Sequence, residues 1–137
     1  MSTLEIPNEI YEQILDQARQ EAPIESCGML AGAEGKVSKL YRMTNADAAH
    51  DHFTLTPEEQ FAVVKDIRAE GLAMLAIYHS HPATPARLSQ EDIRLALTPG
   101  VIYVIVSLAN ETPVVKGFII DNDSVTEVPV TVEEGSQ

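Results

Sequence analysis

His79 and His81, one residue apart, and Asp92 further on are spaced so that a strand end and a helix start can offer all three to one metal ion. Successive side chains of an extended segment alternate between faces, so the two imidazoles point the same way and Ser80 points the other. Two histidines and a carboxylate are the ligand set of a catalytic zinc site that keeps its fourth position for water, whereas a structural site is normally closed by four. These ligands suit zinc; another divalent metal stays open as an alternative.

The elements that must deliver these groups lie on either side. Leu72 to Tyr78 is a short apolar run that predicts a buried strand leading into His79-Ser80-His81-Pro82. Pro82 and Pro85 stop the strand and stiffen the loop. Ser89 is then placed as a helix N-cap with Asp92 one turn in, so the helix start hands its carboxylate back to the strand end. The helix is expected over Ser89 to Leu97, stopped by Pro99-Gly100. A further acid stands out upstream, because Glu25 opens the small, mostly apolar stretch Glu25 to Gly32, which reads as a central strand. A carboxylate at the mouth of such a strand is costly unless it is at the surface, paired or functional.

Around this centre, Thr3 to Ile6 predicts a first strand, and Pro7 opens a helix to about Gln20 with Ile10, Ile14 and Ala18 as its stripe beside Tyr11 and Leu15. Lys36 to Met43 pairs with the Glu25 strand as a hairpin across Glu34-Gly35. Asn45 to His52 reads as a polar loop and Phe53 to Leu55 as a short strand. Thr56-Pro57-Glu58-Glu59 opens a helix whose buried stripe is expected at Phe61, Val64 and Ile67, with Gly71 ending it. Val101 to Leu108, Pro113 to Asp121 and Val125 to Val132 read as strands, with turns at Asn110-Glu111 and Asn122-Asp123. Helices interspersed with strands and followed by a strand-rich half predict one mixed sheet with helices packed on it.

Composition narrows the setting. A chain of 137 residues with 45 % hydrophobic content is expected to form one domain. Its apolar runs are too short to cross a bilayer, and no such run follows Met1, so the expectation is a soluble, cytoplasmic protein. The single cysteine, Cys27, excludes an internal disulfide and a cysteine-based zinc ribbon, and suits a reducing compartment. Cys27 reads as a small buried residue on the face of Glu25, without a neighbouring positive charge to activate it. With 21 acidic against 9 basic residues the net charge is −12, which would repel a phosphate backbone and argues against nucleic acid as a partner. A second His-x-His, His50-Asp51-His52, lies in a polar loop and lacks Ser and Asp at the matching offsets, so it reads as non-ligating, with a role at the substrate rim left open.

Taken together, Glu25, His79-Ser80-His81-Pro82, Ser89 and Asp92 resemble the signature of the JAMM (MPN+) zinc metalloproteases, without departure, and the order of elements is similar over nearly the whole chain. The resemblance is to a short, prokaryotic-type member, since only six residues separate Pro82 from Ser89 and the insertions of eukaryotic members are missing. It implies an α/β (α+β) fold: a single MPN/JAB-type domain over residues 1–132, a curled mixed sheet of cytidine-deaminase-like topology with helices around it, and a flexible tail at 133–137. It also implies one zinc ion per chain on His79, His81 and Asp92, which would bring the pKa of its water toward about 7. Glu25 would take the proton from that water and pass it to the leaving amine. Ser89 would hydrogen-bond the oxyanion, in competition with its capping role, and Ser80 would be structural.

The implied substrate is a ubiquitin-like or sulfur-carrier protein, cut at a peptide or isopeptide bond of a Gly-Gly C-terminal tail. A sheet edge next to the site would hold that tail by strand addition, which favours glycine because the backbones approach closely. No membrane and no nucleic acid enter this reading, and the oligomeric state is left open. The alternative is a non-catalytic MPN scaffold for protein interactions, which would have no use for the ligand set; a DNA-repair-associated relative fits poorly with the acidic charge.

Overall fold

Apolar runs of four to nine residues, broken by turn residues, fold in this chain into strands that pair into a single curled sheet. The computed structural model describes residues 3–94, 100–121 and 124–133. Along the chain lie β1 (Leu4–Pro7), α1 (Asn8–Glu21), β2 (Cys27–Ala33), β3 (Lys36–Met43), α2 (Pro57–Ala69), β4 (Ala73–His81), α3 (Gln90–Arg94), β5 (Ile102–Ser107), β6 (Val114–Asp121), β7 (Ser124–Val128) and β8 (Val130–Glu133). The strand order is β7-β6-β5-β4-β2-β3-β1-β8. The pairs β4–β5, β1–β3 and β1–β8 are parallel and the others antiparallel, so the sheet is mixed, as the sequence predicts. Among the described residues no helix is long and apolar enough to cross a membrane.

The two faces of the sheet bury separate clusters. Leu30, Ala76, Tyr78, Val104 and Val106 pack with Ile14 and Leu15 of α1, while Cys27, Met29, Ile77 and Tyr103 pack with Val63 and Ile67 of α2. β4 alternates between the clusters, which is what sends His79 and His81 to the α2 side and Ser80 to the other. The hairpin at Glu34-Gly35 turns with positive φ at both residues, the geometry that a two-residue connection requires. α2 starts as expected, with the Thr56 hydroxyl accepting the Glu59 amide. It ends at Gly71, whose positive φ lets Gly71 and Leu72 donate to the carbonyls of Arg68 and Ile67.

Four expectations are corrected. Phe61 is 71 % exposed, and the stripe of α2 is instead Val63 and Ile67. Steps of three residues taken twice, from 61 to 67, drift roughly 120° around a helix of 3.6 residues per turn, which carries Phe61 off the buried face. Phe53 to Leu55 is irregular, because Thr54 spends its backbone N–H on the Asn45 side chain and its carbonyl on Ala46. Val125 to Val132 is two strands, broken at Pro129, where a missing N–H ends the ladder and β8 leaves to lie beside β1. Finally, β2 begins at Cys27, so Glu25 precedes it: the Glu25 amide donates to Ala49 and the Ser26 amide to the Ser80 hydroxyl. The helix after Ser89 is described through Arg94; its expected end at Leu97 and Pro99, the Asn122-Asp123 turn and tail residues 134–137 lie outside the described residues.

A glycine keeps the central strands together. A Cβ at Gly28 would overlap the Tyr78 ring and the Tyr41 carbonyl oxygen. Tyr78 is fully buried there, its hydroxyl donating to Gln17, whose amide donates in turn to the Cys27 carbonyl at 3.0 Å. Gly28→Ala is therefore expected to destabilise the fold by about 1–3 kcal/mol, the usual cost of overfilling a packed core. Urea unfolding checks this, and an unchanged midpoint would show that β2 and β4 have room to part.

Candidate metal centre

The site forms where the C-terminal end of β4 meets the first turn of α3. His79 and His81 project from one face of β4 with their Nε2 atoms 3.1 Å apart. The Asp92 carboxylate closes the triangle, Oδ1 lying 3.1 Å from His79 Nε2 and Oδ2 3.1 Å from His81 Nε2. All three side chains are buried. Among the described residues they form the group whose ligand atoms lie within 4.8 Å of one another, and His50 and His52 are not part of it.

Local chemistry explains why Asp92 arrives there. Ser89 caps α3: the Asp92 amide donates to Ser89 Oγ at 3.0 Å, and the Ser89 amide donates to Asp92 Oδ2 at 2.9 Å. This is a reciprocal capping box in which an aspartate takes the place of the usual Glu or Gln. The loop before it is tied to the sheet by Ser107 Oγ donating to the Thr84 carbonyl and the Leu108 amide donating to the His81 carbonyl. His81 Nδ1 lies 2.9 Å from the Pro85 carbonyl. A carbonyl only accepts, so Nδ1 carries the proton and the neutral ring presents a lone pair at Nε2. His79 stacks on Phe53, with ring centroids 4.8 Å apart.

This donor chemistry fits a cation. Two imidazole nitrogens and a carboxylate converge as electron-pair donors, an arrangement that demands positive charge between them. Burial and hydrogen bonding act differently on the three groups. Burial disfavours the charged form of Asp92, yet hydrogen bonds to His79 and His81 outweigh it and hold the carboxyl far below its ordinary range. Burial lowers the His79 pKa and so keeps that ring neutral, as ligation requires. At His81 burial acts in the same direction, but Asp92 and the Pro85 carbonyl overcome it and raise the pKa.

Glu25 approaches the same ring nitrogen, with Oε2 4.0 Å from His81 Nε2. Its Oε1 is buried without a hydrogen-bond partner among the described residues. Burial pushes its carboxyl up to about 7 against the pull of His81. It lines a cavity of about 270 Å³ together with Pro23, His50, Asp51, His81 and Ser89. The structure thus brings Glu25, His79, His81, Ser89 and Asp92 to one place. Ser80 faces away, its hydroxyl accepting the Ser26 amide at 2.8 Å. Cys27 lies beside His79 in the β2–β4 register but is wholly buried, and burial pushes its thiol up to about 12. His52 is held outside the triad between Asp47 and Asp51.

Sequence reasoning missed Phe53 and Asn45, which brace this site from the loop. Asn45 at a loop start gives no local signal, since its partners are set by tertiary folding. Among the described residues, β3 beyond Lys36 and β6 from Val114 to Lys116 have no partner strand on their outer sides.

Residues 7–118 match the family model described as prokaryotic homologs of the JAB domain. A relative from Mycobacterium tuberculosis named CysO-cysteine peptidase is 34 % identical over 134 residues, covering 96 % of this chain and 92 % of that protein. A desampylase from Pyrococcus furiosus is 32 % identical over 133 residues with the same coverage. A protein of Desulfitobacterium hafniense with a known solution structure superposes with a TM-score of 0.88 at 43 % identity, over 96 % of this chain and 93 % of that one.

The chain is expected to bind one equivalent of zinc, measured by elemental analysis after gel filtration, and His79→Ala, His81→Ala and Asp92→Asn should each lose it. Full zinc content in any of these variants would remove that residue from the ligand set.

Proposed function

The chain belongs to the prokaryotic homologs of the JAB domain and is a JAMM-type hydrolase, and from that premise we propose that it cuts a peptide or isopeptide bond at the C-terminal tail of a ubiquitin-like or sulfur-carrier protein. The observation that carries this reading is a buried carboxylate, Glu25, left free beside a three-ligand cation site and facing a cavity. The names of the relatives, a CysO-cysteine peptidase and a desampylase, support the substrate class.

His79, His81 and Asp92 would hold zinc, which supplies Lewis acidity toward the scissile carbonyl and toward water. Every other part of the reaction falls to the chain's own groups. Glu25 accepts a proton from the attacking water at one carboxylate oxygen and returns it to the nitrogen of the leaving amine, so the same group is base and then acid. Burial pushes its pKa up to about 7, which favours taking up the proton, and a cation on the neighbouring ligands would favour giving it back to the amine. Ser89 donates its O–H to the oxyanion of the tetrahedral intermediate. The cap does not compete, because the Asp92 amide occupies a lone pair of Ser89 Oγ and leaves the hydroxyl proton free. The cavity, at about 270 Å³, lies at the narrow end of ligand sites and accepts an extended tail of small residues such as Gly-Gly. A scaffold without catalysis would have no use for a free buried acid at this position.

The test is incubation of the zinc-loaded protein with a sulfur carrier bearing extra residues after its Gly-Gly, followed by intact mass. Loss of the extra residues is expected, and no mass change after long incubation would overturn the reading. Glu25→Gln should keep zinc and fold while losing hydrolysis; activity within a few-fold of the parent would remove Glu25 from the mechanism. Ser89→Ala should slow turnover by roughly 10²-fold or more if the hydroxyl meets the oxyanion. An effect confined to melting temperature would leave Ser89 only a cap.

A further inference from the structure

The carboxylate of Glu25 is placed without help from its own hydrogen bonds. Oε1 has no partner among the described residues and Oε2 comes no nearer to His81 Nε2 than 4.0 Å. Its position must come from the backbone, and the backbone at residue 25 lies outside the β2–β4 ladder, which starts at Cys27. It is held from two sides: the Ser26 amide of the same peptide donates to Ser80 Oγ of β4 at 2.8 Å, and the loop that follows β3 holds the rest. The Glu25 amide donates to the Ala49 carbonyl at 2.9 Å, and the Glu25 carbonyl accepts from Asn45 Nδ2 at 3.0 Å.

Asn45 is 6 % exposed and uses its whole hydrogen-bonding capacity. Nδ2 also donates to the His52 carbonyl at 2.9 Å and, more weakly, to the Ala49 carbonyl at 3.3 Å. Oδ1 accepts the Asp47 and Thr54 amides at 3.2 and 3.1 Å. Three carbonyls share two N–H groups, and the acceptor is filled twice. The amide therefore ties both ends of the 45–54 loop to the peptide that carries Glu25, and the same loop supplies His50 and Asp51 to the cavity wall. A side chain satisfied in this way sets a single geometry for everything bonded to it.

We propose that Asn45 is a positioning residue for the reaction, fixing the peptide of Glu25 so that its carboxylate meets the attacking water; this rests on Glu25 acting as the base. Asn45 touches no reacting atom. Its loss would leave the metal ligands in place, because they are held by β4 and by the Ser89 capping box, and would free the Glu25 carbonyl, so that the peptide could rotate about its remaining bond to Ser80. Misplacement of a reacting group by about 1 Å costs on the order of 10² in rate.

The experiment compares Asn45→Ala and the milder Asn45→Ser, which keeps a hydroxyl in the site, with the parent and with Glu25→Gln. Each is measured for bound zinc, melting temperature, and kcat and KM on the sulfur carrier with extended tail. Asn45→Ala should keep one zinc, lower kcat by 10- to 100-fold and change KM by less than threefold, with Asn45→Ser between it and the parent. If Asn45→Ala does not fold, the kcat of Asn45→Ser decides alone. A kcat within threefold of the parent, a loss that resides in KM, or a loss that tracks missing zinc would each overturn the positioning role. Parent-like rates in Glu25→Gln would instead overturn the reading on which it rests, whatever the Asn45 variants show.

Discussion

The structure depends on bringing three electron-pair donors within 3.1 Å contacts at a buried place beside a cavity. In a low-dielectric interior each group loses hydration on the way in, and a positive charge among them, a ring proton or a metal cation, is what offsets that cost. The chain meets that demand with rigid backbone. Period-2 alternation in β4 aims both imidazoles, flanking strands on both sides fix that alternation, and a helix cap turns the carboxylate to face them. A mobile loop in any of these positions would let the donors relax apart.

Burial has opposite consequences for neighbouring groups on the same face of the sheet. At Cys27 it raises the thiol to about 12, which removes the residue from nucleophilic chemistry at neutral pH. At Glu25 the same desolvation, tempered by His81 at 4.0 Å, leaves the carboxyl at about 7, where it exchanges protons readily. The difference lies in what surrounds each group. Cys27 packs among Met29, Ile77 and Tyr103, whereas Glu25 opens onto a cavity.

How legible each part was in the sequence follows from how local its cause is. His79, His81, Ser89 and Asp92 act through strand alternation and a capping box, both written in a few adjacent residues, and so did the Thr56 cap and the Gly71 stop. Phe61 misled because a three-residue spacing imitates a helical stripe over one turn and drifts away over two. The break at Pro129 was written in the residue type but overridden by the apolar alternation around it. Phe53 and Asn45 were not legible: stacking on His79 and five hydrogen bonds to groups between residues 25 and 54 exist only once the loop has closed.

The site is also divided by mechanical origin, and the division explains how one centre can be both rigid and reactive. The proposed metal ligands come from β4 and α3, whose backbone bonds are part of regular structure. The proposed base, Glu25, sits on a peptide outside the ladder, held by bonds to a loop and to the Ser80 hydroxyl. A ligand must stay put to hold its ion, whereas a base must shift a proton between water and a leaving amine and so gains from a carboxylate with one oxygen uncommitted. Satisfying Glu25 through its peptide and leaving Oε1 without a partner meets both requirements, since a salt bridge strong enough to orient the carboxylate would also have lowered its pKa and blunted it as an acid.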